Sequence, residues 1–324
     1  MKLFTRKLKS PYADMRDAFF EELYYIAKKD RNVILLMADQ GAMSFEKFRR
    51  DIPSQFINVG ISEQNMVSVA AGLTLGGKRV FVHAITTFLT LRCYEQIKVD
   101  VSIMNLPVTF VGVGAGFTYG NDGPTHHSNQ DIAIMRAIPG MTIYNASDTV
   151  TTSAFPYLAY QNSGPTYVRF DKERVSPLYS MRHNFQDGIG KLKNGKDCMI
   201  ISTGVMVHKA LEIAKRLERE GISAGVIDVY RLKPFNEKKL FLMLNSVPRI
   251  VIIEEHSAYG GLGTLIADFL CDYNLRHAFQ RFGLKDAHCF EYGDREYMHQ
   301  KVELDIPTVV ERIIRFKKTR AKNA

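Results

Sequence analysis

Cysteine is scarce in this chain and never clustered. The four are Cys93, Cys198, Cys271 and Cys289. None falls in a C-x-x-C pair and no His/Cys group has zinc spacing, which argues against a structural zinc site. Isolated thiols of this kind are mostly buried apolar groups, and a nucleophilic Cys93 is a minor alternative. No apolar run approaches the roughly 20 residues that a membrane helix needs. The basic N-terminus leads into no apolar core, so no secretory signal is expected and the cytoplasm is the expected compartment. Acidic residues are in deficit, 34 against 43 basic ones, for a net charge of +9. Much of the excess sits at the two ends, in Arg6, Lys7 and Lys9 and in Arg315, Lys317, Lys318, Arg320 and Lys322. No aromatic-rich basic stripe accompanies it, so solvated tails explain the charge better than nucleic acid does; a basic cleft for an anionic substrate stays open. The run Gly260-Gly261-Leu262-Gly263 lacks the G-x-G-x-x-G spacing of a dinucleotide site. There is no tandem repeat and no low-complexity segment.

What is present is an alternation of apolar strands and amphipathic helices. With 324 residues, 46% apolar and 24% charged, the chain has material for about two globular domains. Residues 12–30 place Met15, Ala18, Phe19, Leu23 and Ile26 on one helical face. Strands are expected at 33–37, 56–59, 79–84, 108–113, 141–144 and 166–170, with helices between them. Periodicity fades over 171–188, then resumes with strands at 198–202, 222–229, 250–253 and 281–284 and helices at 208–220, 264–270 and 306–316. The expected fold is two consecutive three-layer α/β/α domains with mostly parallel sheets. The boundaries read as a tail at 1–11, a first domain at 12–172, a linker at 173–188 and a second domain at 189–324.

Candidate functional residues gather where strands end. Val59-Gly60-Ile61-Ser62-Glu63-Gln64-Asn65-Met66 takes the chain from a strand through a glycine into a helix, with Ser62 placed to cap it. Glu63 therefore stands at the rim of an α/β sheet, where ligands bind, although an acid in a first helical turn is also favoured by the helix dipole alone. Asp39 follows another strand and could equally make an Asx turn. The long polar loop after residue 113 carries Tyr119-Gly120-Asn121-Asp122-Gly123-Pro124-Thr125-His126-His127. Two adjacent histidines beside Asp-Gly-Pro in such a loop point to a site. Phe88, Leu91, Tyr94 and Ile97 recur at helical spacing, which by itself signals core. Glu255 and His256 read as core or interface hydrogen-bonding groups.

Taken together, the Glu63 stretch and the Asp-Gly-Pro-Thr-His run, about sixty residues apart, resemble the pyrimidine-binding half of the transketolase family of thiamine-diphosphate enzymes. The resemblance spans nearly the whole chain: a pyrimidine-binding domain, then a transketolase C-terminal domain. It implies that Glu63 touches the cofactor's aminopyrimidine, that Phe88, Leu91 and Tyr94 pack against that ring, and that Asp39 lies beside the thiazolium. Leu91 stands where another aromatic is usual. It further implies that Asp122, His126, His127 and Lys172 face substrate, with His126 as the base. Glu63 would have to carry a proton near neutrality, hence an apolar setting that Phe88 and Leu91 could supply.

The family's third domain, which binds the diphosphate through Mg²⁺ with a Gly-Asp-Gly motif, has no counterpart here. The nearest match, Asn121-Asp122-Gly123, belongs to the loop already described. The resemblance thus implies the second subunit of a split transketolase, acting on a sugar or sugar phosphate, whose partner brings Mg²⁺ and the diphosphate site in an α2β2 assembly. Gly114 and Ala115 stand near the positions where relatives have a histidine or an arginine, and Lys172 near an arginine, so an unphosphorylated, nucleotide-linked or differently held sugar is an alternative to the usual phosphosugar. The alternatives are a deoxyxylulose-phosphate-synthase-like condensation, a 2-oxoacid dehydrogenase E1 beta-type subunit, and a noncatalytic partner.

Overall fold

The computed structural model describes residues 14–244 and 247–320. The expected tail at 1–11, the start of the first helix and Lys322 lie outside the described residues. Among the described residues the strands form two sheets, of seven and five members. The first uses β1 (Val33–Met37), β2 (Phe56–Asn58), β3 (Arg79–Ile85), β4 (Thr109–Val113), β5 (Thr142–Asn145) and β6 (Thr166–Phe170). The second uses β7 (Gly190–Lys193), β8 (Cys198–Ser202) and β9 (Ala224–Asp228); it is completed, after β10 (Arg231–Lys233), by β11 (Arg249–Ser257) and β12 (Ala278–Leu284). The orders are β10-β5-β6-β4-β3-β1-β2 and β12-β11-β8-β9-β7. Strands β1 to β6 pair in parallel throughout. Their unbroken apolar runs follow from this, since a parallel sheet is covered on both faces.

Each face has its own core. Ile34 and Leu36 of β1 join Met66, Val67 and Ala70 of the Glu63–Leu75 helix. Their neighbours Val33, Leu35 and Met37 turn the other way, onto Met15, Phe19 and Leu23 of the Met15–Ala27 helix. That alternation is the period-two geometry of a strand. The first of these cores continues through Ile201, Ile227, Ile252 and Ile266 of the second domain, so the two domains share one apolar interior. Each such fully buried aliphatic side chain contributes about 1.5–3 kcal/mol.

Several elements depart from the sequence expectation. Strand β10 leaves its own domain and pairs antiparallel with β5, closing the edge of the first sheet. Strand β7 pairs antiparallel with β9. The short helices Phe45–Asp51, Glu237–Leu244 and Arg295–Lys301 offer too few turns for periodicity to register. Ser62 occupies the N-cap position but does not cap; its hydroxyl donates to the Val59 carbonyl at 2.9 Å. The aromatic stripe does not lie on one regular helix. π-helical turns at Phe88–Arg92 and Ile97–Ser102 flank a short α turn at Tyr94–Gln96. Wider i→i+5 turns break the i,i+3 alignment, and Leu91 ends 48% exposed rather than in a core stripe.

Candidate active site

The carboxyl edge of the first sheet collects Asp39 after β1, Glu63 after β2, Phe88 after β3, the 114–131 loop after β4 and Lys172 after β6. Glu63 is 3% exposed. Its setting corrects the expected apolar slot: Arg92 Nη1 donates to Glu63 Oε2 at 2.6 Å. The side chain of Arg92 is 44% exposed, and its guanidinium carbon lies 4.5 Å from the centre of the Phe88 ring. From there a row of rings crosses the site. Phe88 meets His126 edge-on at 5.0 Å, and His126 lies 6.1 Å from Tyr119. Lys172 Nζ caps Tyr119 at 4.4 Å. Two cations thus bracket three rings, with the candidate base in the middle.

The other candidates divide. Asp122 is exposed, in the turn Gly120–Asp122. Asp39 sits at φ 51° and is held by Asn58, whose amide donates to Asp39 Oδ1 at 3.0 Å and whose oxygen accepts from Asp39 N at 3.1 Å. The same oxygen accepts from Gly60 N at 3.0 Å, so Asn58 sets the turn that launches Glu63. Tyr94 is half-buried against the core, and Leu91 faces outward. His127 is buried against the edge of Phe117 at 4.9 Å. Neither of its ring nitrogens reaches hydrogen-bond geometry with a described residue, and burial holds its pKa below the ordinary value, against the Gly120 backbone. Cys93 is buried, and burial reinforced by the nearby Glu63 charge pushes its thiol up to about 12, so it is no nucleophile.

The second domain clamps the loop from behind. Glu255 Oε2 accepts from Phe117 N at 2.9 Å, and its Oε1 meets His299 Nε2 at 2.5 Å and Arg295 Nε at 3.1 Å. Burial would raise this carboxyl, but the Arg295 charge and His299 bring it down to about 2. Arg295 also donates to Asp171 and Glu173, each at 2.6 Å, and to the Ala115 carbonyl at 3.0 Å. Thr118 hydrogen-bonds Asp171 as well. The loop's glycines admit this approach: a Cβ on Gly116 would fall 1.8 Å from Glu255 Oε2, and one on Gly123 would fall 2.8 Å from the Tyr292 ring. Arg92, Asn58, Tyr119 and Arg295 were not singled out in the sequence. Only Tyr119 carried a signal, its place within the Asp-Gly-Pro-Thr-His run.

The transketolase pyrimidine-binding domain family matches residues 12–177, and the transketolase C-terminal domain family matches residues 189–308. The chain belongs to the transketolase family. It is 35% identical over 300 residues to the 6-deoxy-6-sulfo-D-fructose transketolase subunit SqwH of Clostridium sp. (strain MSTE9), covering 91% of this chain and 92% of that protein. It is 34% identical over 261 residues to an apulose-4-phosphate transketolase subunit of Phocaeicola vulgatus, covering 79% of this chain and 83% of that protein. A solved split gene transketolase, an inactive β4 tetramer, superimposes with a TM-score of 0.85 at 31% identity, covering 94% of this chain and 99% of that one. A 1-deoxy-D-xylulose-5-phosphate synthase of Chlorobium phaeovibrioides is 34% identical over 95% of this chain, which spans 49% of that enzyme. As a transketolase-type subunit, the chain places Glu63 and the Asp-Gly-Pro-Thr-His loop on one sheet edge and brings Glu63, Phe88 and His126 into one row. Among the described residues, no group of three His, Cys, Asp or Glu side chains is arranged to hold a metal ion, and no helix is long and apolar enough to cross a membrane.

Proposed function

We propose that this chain provides the pyrimidine and substrate half of a split, thiamine-diphosphate-dependent transketolase, and that it transfers a two-carbon ketol unit once a second polypeptide has docked. The observation that carries the reading is the row from buried Glu63 through Phe88 to His126 at the carboxyl edge of one parallel sheet. The residues fit the cofactor: a carboxyl almost out of water whose hydrogen-bonded partner is a half-exposed arginine, with the half-buried aromatic Phe88 under that arginine. When bound, thiamine diphosphate supplies the carbon nucleophile that attacks a ketose carbonyl.

The chain's own groups do the rest. Glu63 would hydrogen-bond the pyrimidine nitrogen in place of Arg92. Phe88 would give the pyrimidine a flat apolar wall, worth roughly 0.5–1.5 kcal/mol beyond burial; Tyr94 and the outward-facing Leu91 would join it on docking, and Asp39 would face the thiazolium. His126 takes and returns protons at the sugar hydroxyls. Asp122 reads a donor hydroxyl, His127 backs the loop, and Lys172 meets an anionic terminus. The division between domains falls in residues 173–188. Mg²⁺ and the diphosphate are held by the partner subunit, in an α2β2 assembly in the cytoplasm, with neither nucleic acid nor membrane involved. The relatives named for sulfofructose and apulose phosphate support a non-standard anionic sugar.

The test is complementation. The purified chain, with thiamine diphosphate and Mg²⁺, should turn over no ketose until it is mixed with a polypeptide carrying the Gly-Asp-Gly motif. Turnover by the chain alone would refute the split site. Pyruvate-dependent CO₂ release by the mixture would favour the synthase-like condensation instead.

A further inference from the structure

Tyr119 stands at the centre of the substrate end of the row, and no role given above uses its ring. A Cβ on Gly114 would lie 2.2 Å from Tyr119 Cε2 and 2.7 Å from Cδ2. The ring therefore occupies the volume that a side chain at the end of β4 would take. Gly114 also has φ +102°, a conformation that disfavours any side chain. The Tyr119 ring is half-buried, and burial raises its phenol pKa, so it meets a ligand as a neutral surface. Lys172 Nζ sits 4.4 Å from the ring centre. Among the described residues no carboxylate lies within ion-pair distance of that ammonium. The adjacent Asp171 is engaged by Arg295 and Thr118, which pins the backbone from which Lys172 extends.

We propose that Tyr119 is the specificity-determining residue for the far end of the sugar. It holds the Lys172 ammonium on the ring that also meets His126, so that a sugar ending in a tetrahedral oxyanion places the anion on Lys172 and reaches back toward His126. This rests on the function proposed above. A lysine stem has four rotatable bonds and no planar fork. Without the ring the ammonium keeps its charge but loses its fixed place, so the anion is held less tightly. The residue acts through Lys172, not on the proton transfers, so its effect belongs in KM.

The experiment uses the complex assembled with the partner subunit and three acceptor sugars of equal chain length, ending in phosphate, sulfonate or hydroxyl. If the wild-type complex transfers to none of them, the functional reading fails before Tyr119 is tested. With an active wild type, Tyr119→Ala should lower kcat/KM for the charged sugars about tenfold, mainly through KM, and for the uncharged sugar less than about twofold. Tyr119→Phe should keep the wild-type preference. Lys172→Met should abolish the preference, and adding Tyr119→Ala to it should cost nothing more. The ratio between the phosphate and sulfonate arms identifies which oxyanion the site takes. Gly114→Ala, which drives a Cβ into the ring, should reproduce the Tyr119→Ala pattern. Equal losses on charged and uncharged sugars, with an unchanged melting midpoint, would overturn the proposal, as would full additivity of the double variant.

Discussion

The Glu63 carboxyl is almost completely out of water, and its hydrogen-bond partner is a guanidinium that is itself 44% exposed. A hydrogen bond to a charged group is worth about 1.5–3 kcal/mol, and exposure of Arg92 reduces this. Any pyrimidine nitrogen that takes up Glu63 must compete with that contact. Arg92→Met should therefore tighten thiamine diphosphate binding to the assembled enzyme by about three- to tenfold, as read by calorimetry; weaker binding would show that Arg92 helps to hold the cofactor. A different buried acid gives a pH signature. Burial raises Asp228 to about 7, against hydrogen bonds from Ser147 and Tyr179. A carboxyl raised in the folded state holds a proton that the unfolded chain has released. Its contribution is thus intact below pH 3.8 and is lost as pH rises toward 7. In Asp228→Asn the melting midpoint relative to wild type should climb across that window; a constant difference would contradict the assignment. At this scale the sequence marked Glu63 and His126 as candidates because they stand at a strand end and in a loop motif. It could not show Arg92, which lies on a π-helical turn 29 residues from Glu63.

The element proposed to position substrate is the 114–131 loop, and the second domain shapes it. Its glycines lie under Glu255, Gly293 and Tyr292, so the loop's conformation is set by residues far along the chain. Arg295 is the hub, with a side chain 13% exposed between Asp171, Glu173 and Glu255. Arg295→Met would strand buried carboxylates, at a cost of about 3–5 kcal/mol. The expected result is a lowered melting midpoint together with a raised sugar KM; an unchanged KM in the folded protein would separate the clamp from the site. The loop was legible as a candidate site from its length, glycines and paired histidines. Its inward-facing member was not, since nothing in His126-His127 says which ring turns toward Phe117. Regular strands were legible because burial on both faces imposes continuous apolar runs. The 88–102 segment was not, because its apolar spacing is that of an ordinary helix while its turns are wider.

Across the whole molecule, two α/β domains share one interior, and β10 of the second completes the sheet of the first. The candidate site lies along one edge of that sheet, and the groups it collects are an acid, aromatic rings, the candidate base and two cations, Arg92 and Lys172. The chain spans 92% of a split-transketolase subunit and 49% of a deoxyxylulose-phosphate synthase, which fits half of a two-chain active site. The most direct test is turnover of the assembled complex with Glu63→Ala. With partner affinity and melting midpoint unchanged, ketol transfer should fall by at least about 100-fold. Turnover within about twofold of wild type would contradict a catalytic role for this acid.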